Sequence, residues 1–132
     1  MTLTEIFTII IIHWFADFLM QDKKWAIGKS KNWNDLLSHT IIYSFIWFLF
    51  SISSNILSLL VLDWMNLINF TLITFIAHTA TDYVTSRIVS KKFAKGEYGT
   101  SIPNTGAFTI IGIDQVLHYI QLFLTYDLLK NG

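Results

Sequence analysis

Four apolar runs dominate this chain, at residues 3–20, 36–54, 67–89 and 107–126, the second able to continue through 55–62. Each approaches the roughly 20 helical residues that a hydrocarbon core of about 30 Å demands. A soluble bundle would have to cover all four runs with polar surface. Only 14% of the 132 residues are charged and 53% are hydrophobic, whereas an ordinary soluble domain carries about 25% charge. The pattern therefore predicts an all-α fold, a polytopic four-helix transmembrane bundle. It forms one domain, with helices over roughly 3–21, 36–60, 67–90 and 107–128.

The first run lacks the basic leader and small-residue cleavage site of a signal peptide, and it carries His13 and Asp17. It reads as a resident span. There is no cysteine, which excludes disulfides and thiolate ligands and leaves the redox compartment open. The net charge is zero, so nothing draws the chain to nucleic acid.

Charge placement predicts the orientation. The long loops at 21–35 and 90–106, with the adjoining Arg87, hold eight of the nine basic residues; Lys130 is the ninth. The positive-inside rule then gives an inner (cytoplasmic) membrane protein with both long loops cytoplasmic and both termini outside. Trp25, Trp33 and Trp64 flank the runs as interfacial anchors.

Each run carries one histidine. His13, Asp17 and Gln21 recur at four-residue spacing in the first, as do His39 and Tyr43 in the second. The third has His78 and Asp82 with a threonine stripe at Thr71, Thr74, Thr81 and Thr85; the fourth has Asp114, Gln115 and His118. Such spacing puts each set on one helix face. Lipid offers no hydrogen-bond partners, so the polar faces are expected to converge. The predicted topology puts all of them between the bilayer centre and the cytoplasmic side. Each isolated aspartate costs about 2.5–3.5 kcal/mol at the bilayer centre. A divalent cation would neutralise two of them and take neutral imidazoles as ligands.

The expected metal ligands are His13, Asp17, His39, His78, Asp82, Asp114 and His118, for one or two ions. The donor set suits zinc, and also manganese or iron. Asp17, Asp82 and Asp114 are the candidate catalytic carboxylates, one of them a general base. Gln21, Tyr43 and Gln115 are expected to support the ligands. Lys24, Lys29 and Arg87 are candidate anion binders at the mouth. A metal-free His–Asp proton relay remains the alternative use of the same groups.

The series ADFLMQ followed by Trp25 and Lys29, then SHTIIY, AHTATD and DQVLH, resembles the small bacterial and phage membrane proteins grouped as domain of unknown function 3307. The resemblance runs from His13 to His118. It implies functional weight for His13, Asp17, Gln21, Lys29, His39, His78, Asp82, Asp114 and His118. Ala16 stands where many members have glycine, and Arg87 is the nearest base after Asp82 where a lysine is expected. The family name implies no activity.

The leading expectation is a membrane-embedded, metal-dependent hydrolase acting on a phospholipid or lipid-linked phosphoester from the cytoplasmic leaflet. The lipid bilayer is its expected partner, and a homo-oligomer is open. Two other classes remain: a metal-ion or proton binding or transport protein, and a non-enzymatic membrane interaction protein. The outer halves of the runs look dry (Ile6, Ile9, Ile10, Leu49, Phe50), which argues against transport. The loop at 90–106, with Gly96, Gly99, Pro103 and Gly106, reads as a flexible connector, with a lid as its other reading.

Overall fold

Thr2 opens the first helix with a capping box: its hydroxyl accepts from the Glu5 amide (3.3 Å) while Glu5 Oε2 accepts from the Thr2 amide (2.6 Å). The computed structural model describes residues 1–98 and 105–132. Helix α1 spans Leu3–Trp14 and widens into a π-helical turn at Phe15–Leu19, closed by a bond from the Met20 amide to the Phe15 carbonyl (3.1 Å). A short α2 (Lys23–Gly28) follows, then α3 (Trp33–Ile56), α4 (Trp64–Ala94) and α5 (Thr105–Asn131). All regular structure among the described residues is helical. Asp22, Asn32 and Asp63 cap α2, α3 and α4, each side chain accepting from a backbone amide of the first turn.

The boundaries differ from the sequence expectation where caps override the apolar pattern. The 21–35 segment is no plain loop: Asp22 starts α2 within it, and Asn32 starts α3 at Trp33. Helix α4 runs past residue 90 to Ala94, so Lys91 and Lys92 sit in its last turn, where they suit the helix dipole. It stops in a Schellman motif. Gly96 takes φ +68°, its amide bonds Phe93 O (3.0 Å), and the Glu97 amide bonds Lys92 O (3.1 Å). Helix α3 ends at Ile56 by the same device, with Ser58 at φ 55° and bonds Ser58 N to Asn55 O (3.1 Å) and Leu59 N to Ser54 O (2.8 Å). Gly99 and Pro103 of the second long loop lie outside the described residues.

Helices α1, α3, α4 and α5 form a ring in which α1 and α4 each touch both α3 and α5; α2 packs on α3. Gly28 makes that last contact possible. A Cβ there would stand 1.8 Å from Asp35 Oδ2 and 2.8 Å from Asp35 Cβ.

The core is unusual in what it buries. Among the described residues, fourteen polar or charged side chains are buried, as many as apolar ones. Large apolar side chains such as Phe7, Ile11, Phe45, Ile76 and Leu124 face outward. Helices α3 and α5 are long and apolar enough to cross a membrane, by length and composition. The same test does not select α1, which the π turn cuts short, or α4, which dilutes its apolar residues with Asn66, Asn69, His78, Asp82 and several threonines.

The half of the bundle near the termini is not dry, contrary to the reading from Ile6 and Leu49. Glu5 is buried there, accepting from Lys130 Nζ (2.6 Å) and Tyr126 Oη (2.7 Å), and Tyr126 Oη accepts from the Val61 amide (3.0 Å). Asn55 closes the α3–α4 connection by binding both the amide and the carbonyl of Leu62.

Candidate metal centre

Three ring elements and the π turn bring Asp17, His39, His78, Asp82, Asp114 and His118 into one buried cluster at the α2 end. The helical i,i+4 spacing pairs His78 with Asp82 and His118 with Asp114.

His39 Nε2 lies at the centre of the problem this cluster poses. It stands 3.0 Å from Asp82 Oδ2, 3.2 Å from Asp17 Oδ1 and 3.2 Å from His78 Nε2. His78 Nε2 is itself 3.6 Å from Asp17 Oδ1 and 3.5 Å from Asp82 Oδ2. A nitrogen carries at most one proton, so His39 Nε2 cannot give a full hydrogen bond to both carboxylates at once, whichever role His78 Nε2 takes. Asp17 Oδ1, Asp82 Oδ1 and His118 Nε2 are buried without a directed hydrogen bond, although imidazole nitrogens and carboxylate oxygens stand 3.2–3.6 Å apart around them. Buried polar atoms are normally paired. Ligand atoms around one ion at 2.0–2.2 Å in tetrahedral geometry sit roughly 3.3–3.6 Å apart. The contacts around His39 and His78 fall close to that spacing. Two groups among the described residues have the spacing to hold a metal ion: Asp17, His39 and His78, and His78, Asp82 and His118, with ligand atoms within 4.8 Å of one another in each.

Charge supports the same fit. Asp17, Asp82 and Asp114 bring three negative charges, and among the described residues the ammonium that reaches them is that of Lys29, with Nζ 2.8 Å from Asp82 Oδ2. Burial pulls the Lys29 pKa down, but Asp82 and Asp17 outweigh it and raise the pKa above the ordinary lysine value. Two negative charges remain, the number one divalent cation or two imidazolium protons would balance.

His13 stands apart from both groups. Gln115 Nε2 donates to Asp17 Oδ2 (3.1 Å) and Asp114 Oδ2 (3.1 Å), so Gln115 Oε1 must accept, and it does so from His13 Nε2 (2.9 Å). In neutral His13 that leaves Nδ1 as acceptor for the Tyr43 hydroxyl (2.7 Å). Both nitrogens of His13 are thus engaged, and it orients the carboxylates through Gln115. Tyr43 also lies flat on the His78 ring (centroids 3.7 Å apart, planes 6° apart). Asp114 is likewise outside both groups. Its Oδ1 accepts from Thr85 (2.5 Å), which puts one member of the threonine stripe in the site.

A cavity of about 700 Å3 opens onto the cluster from the α2 end. Asp17, Asp82 and Asp114 line its floor, Gln21 and Lys29 its side, and Phe18, Ile27 and Phe93 belong to apolar walls. Gln21 lies beyond the end of the π turn rather than on a helical face, with its Oε1 buried. Of the three candidate anion binders, Lys29 lines the cavity. Lys24 is exposed elsewhere, and the Arg87 guanidinium stacks on the rings of Tyr83 (3.7 Å) and Trp33 (5.5 Å). Lys31, which was not among those three candidates, lines the cavity as well.

No curated protein and no solved structure matches the chain. A family model described as protein of unknown function (DUF3307) matches residues 6–131, nearly the whole length, and the chain belongs to that family.

Proposed function

We propose that the chain is a four-span membrane protein that holds a divalent cation in its polar core and hydrolyses a phosphoester borne on a lipid. The observation that carries this reading is His39 Nε2 with two carboxylate oxygens and His78 Nε2 at 3.0–3.2 Å, where those carboxylates, Asp17 and Asp82, line a cavity with apolar walls. Four spans are supported by the inverted burial, with carboxylates inside and Phe7, Ile11, Ile76 and Leu124 outside. The lysine-rich α2 end is then the cytoplasmic one.

Asp17, His39, His78 and Asp82 are the groups that would hold the cation, with His118 beside them. The donors are nitrogen and oxygen without sulfur, which suits zinc, manganese or iron. A bound cation supplies charge against a developing oxyanion and makes a neighbouring water more acidic. Asp114 is free of both ligand groups and faces the cavity, so it is the carboxylate placed to take a proton from an attacking water. Thr85 and Gln115 hold it in place. The apolar walls accept the chain of a lipid, and Lys29 and Lys31 meet its phosphate.

A second reading has its own observation. His39, His78 and His118 form a chain through an Nε2–Nε2 and an Nδ1–Nδ1 contact of 3.2 Å each, a path for protons toward Asp114. Metal content separates the two. Elemental analysis of detergent-purified protein, resupplied with zinc or manganese, should find about one equivalent per chain. Less than about one tenth of an equivalent would leave the proton relay.

A further inference from the structure

Lys29 and His39 meet the same oxygen. Asp82 Oδ2 is 2.8 Å from Lys29 Nζ and 3.0 Å from His39 Nε2. We propose that Lys29 and the divalent cation are alternative occupants of Asp82 Oδ2, and that the displaced ammonium becomes the anchor for a phosphate group in the cavity. The proposal rests on the metal-centre reading and adds an order of binding to it: cation first, phosphate second.

Three observations carry it. A cation bound to Asp82 Oδ2 would lie beside the Lys29 ammonium, and two positive charges sharing one oxygen at bonding distance repel strongly in a buried site. The main chain at Lys29 is held from both sides. Gly28 is pressed onto Asp35, where not even a methyl group fits, and Arg87 Nη1 donates to the Lys29 carbonyl (3.4 Å). Only the side chain is left to move, and it has somewhere to go, since Lys29 lines the cavity beside Lys31 and the apolar Ile27.

Charge makes the exchange less costly in this order. With Lys29 on Asp82 the cluster keeps two uncompensated negative charges. A divalent cation offsets them, so departure of the ammonium then leaves one negative charge behind instead of three. An anion entering from the mouth supplies the missing partner. A lysine is a flexible point charge suited to such a transfer, where an arginine fork would resist it. A phosphate on a lipid and free phosphate share this chemistry, and the apolar walls are what would distinguish them.

The test measures zinc and manganese affinity by titration calorimetry in detergent, for wild type and Lys29→Met. Removing the competitor should tighten the metal by about tenfold, within the usual 5–150-fold range of coupled sites. Inorganic phosphate should tighten metal binding to wild type and leave Lys29→Met unchanged, because linkage is reciprocal. A short-chain phosphatidate run in parallel identifies the source: equal coupling means free phosphate, stronger coupling a lipid head group. Acylation of Lys29, followed by mass spectrometry, should speed up when metal is added to wild type, a change that a merely structural ammonium would not show. Lys29→Gln gives the same readouts if the Met variant does not fold. Equal or weaker metal binding in the neutral variants, or phosphate coupling that survives in them, overturns the exchange while leaving the metal centre standing. Absence of metal from wild type and variants alike overturns the metal centre itself.

Discussion

The Tyr43 ring lies parallel to the His78 imidazole at 3.7 Å while its hydroxyl donates to His13 Nδ1 at 2.7 Å. One side chain therefore fixes the plane of a central ligand candidate and the tautomer of the histidine behind the carboxylates. The two roles separate by substitution. Tyr43→Phe keeps the stack and loses the hydroxyl, which should cost about 1 kcal/mol of stability and leave metal affinity within about threefold. Tyr43→Ala removes the stack and leaves a void, which should cost about 3 kcal/mol and weaken metal binding about tenfold or more. Thermal unfolding in detergent and metal titration read the two effects; equal metal affinity in both variants would deny the stack a positioning role.

Asp17 and Asp114 both line the cavity, but only Asp17 belongs to a ligand group. Asp114→Asn should retain the metal and lose phosphoester turnover by about a hundredfold or more, the range of a lost general base. Asp17→Asn should lose the metal. If Asp114→Asn also loses the metal, Asp114 is a ligand and the base lies elsewhere.

The helical class, the single polar face of each helix and the gathering of six acidic and imidazole groups were legible because four-residue spacing maps directly onto a helix face. The position of His13 was not. Its partners Tyr43 and Gln115 lie 30 and 102 residues away, and only packing decides whether an imidazole faces an ion or a hydrogen-bonding partner. The π turn was equally hidden, since nothing in Phe15–Leu19 marks one extra residue in a turn, yet it carries Asp17. Lys29 is legible in the sequence as a candidate anion binder at the mouth, but not as the partner of Asp82. Its difference lies in Gly28, whose missing side chain lets α2 fold back against Asp35 and aims the next residue inward. Glu5 is legible as a carboxylate within an apolar run and Lys130 as the one basic residue on the side of the termini, but only packing joins the two across 125 residues.

Ser58 holds a conformation that favours glycine, φ 55°, at the position where α4 uses Gly96. The left-handed conformation costs a residue with a Cβ roughly 1–2 kcal/mol. Ser58→Gly should therefore stabilise the protein by about 1 kcal/mol, less the extra chain entropy of glycine when unfolded. The site is at the far end from the metal centre, so metal affinity should not move. A fall in the unfolding temperature would mean that the serine makes a contact that offsets its strain.

Orientation decides what can reach the cavity, and the absence of cysteine makes it measurable. Lys95, exposed just beyond α4, marks the α2 end, and Asn131, exposed at the end of α5, marks the other. With four spans, Lys95→Cys and Asn131→Cys must react with an impermeant maleimide from opposite sides of the membrane. The lysine distribution puts Lys95 inside, so intact cells should label Asn131→Cys and permeabilised cells both. Labelling of both from one side would remove a span, the outcome to be watched in α1 and α4, which length and composition alone do not mark as spans. Labelling of Lys95→Cys from outside would keep the bundle and invert it. The cavity would then open away from the cytoplasm, and the phosphate that Lys29 and Lys31 await would have to come from the outer leaflet.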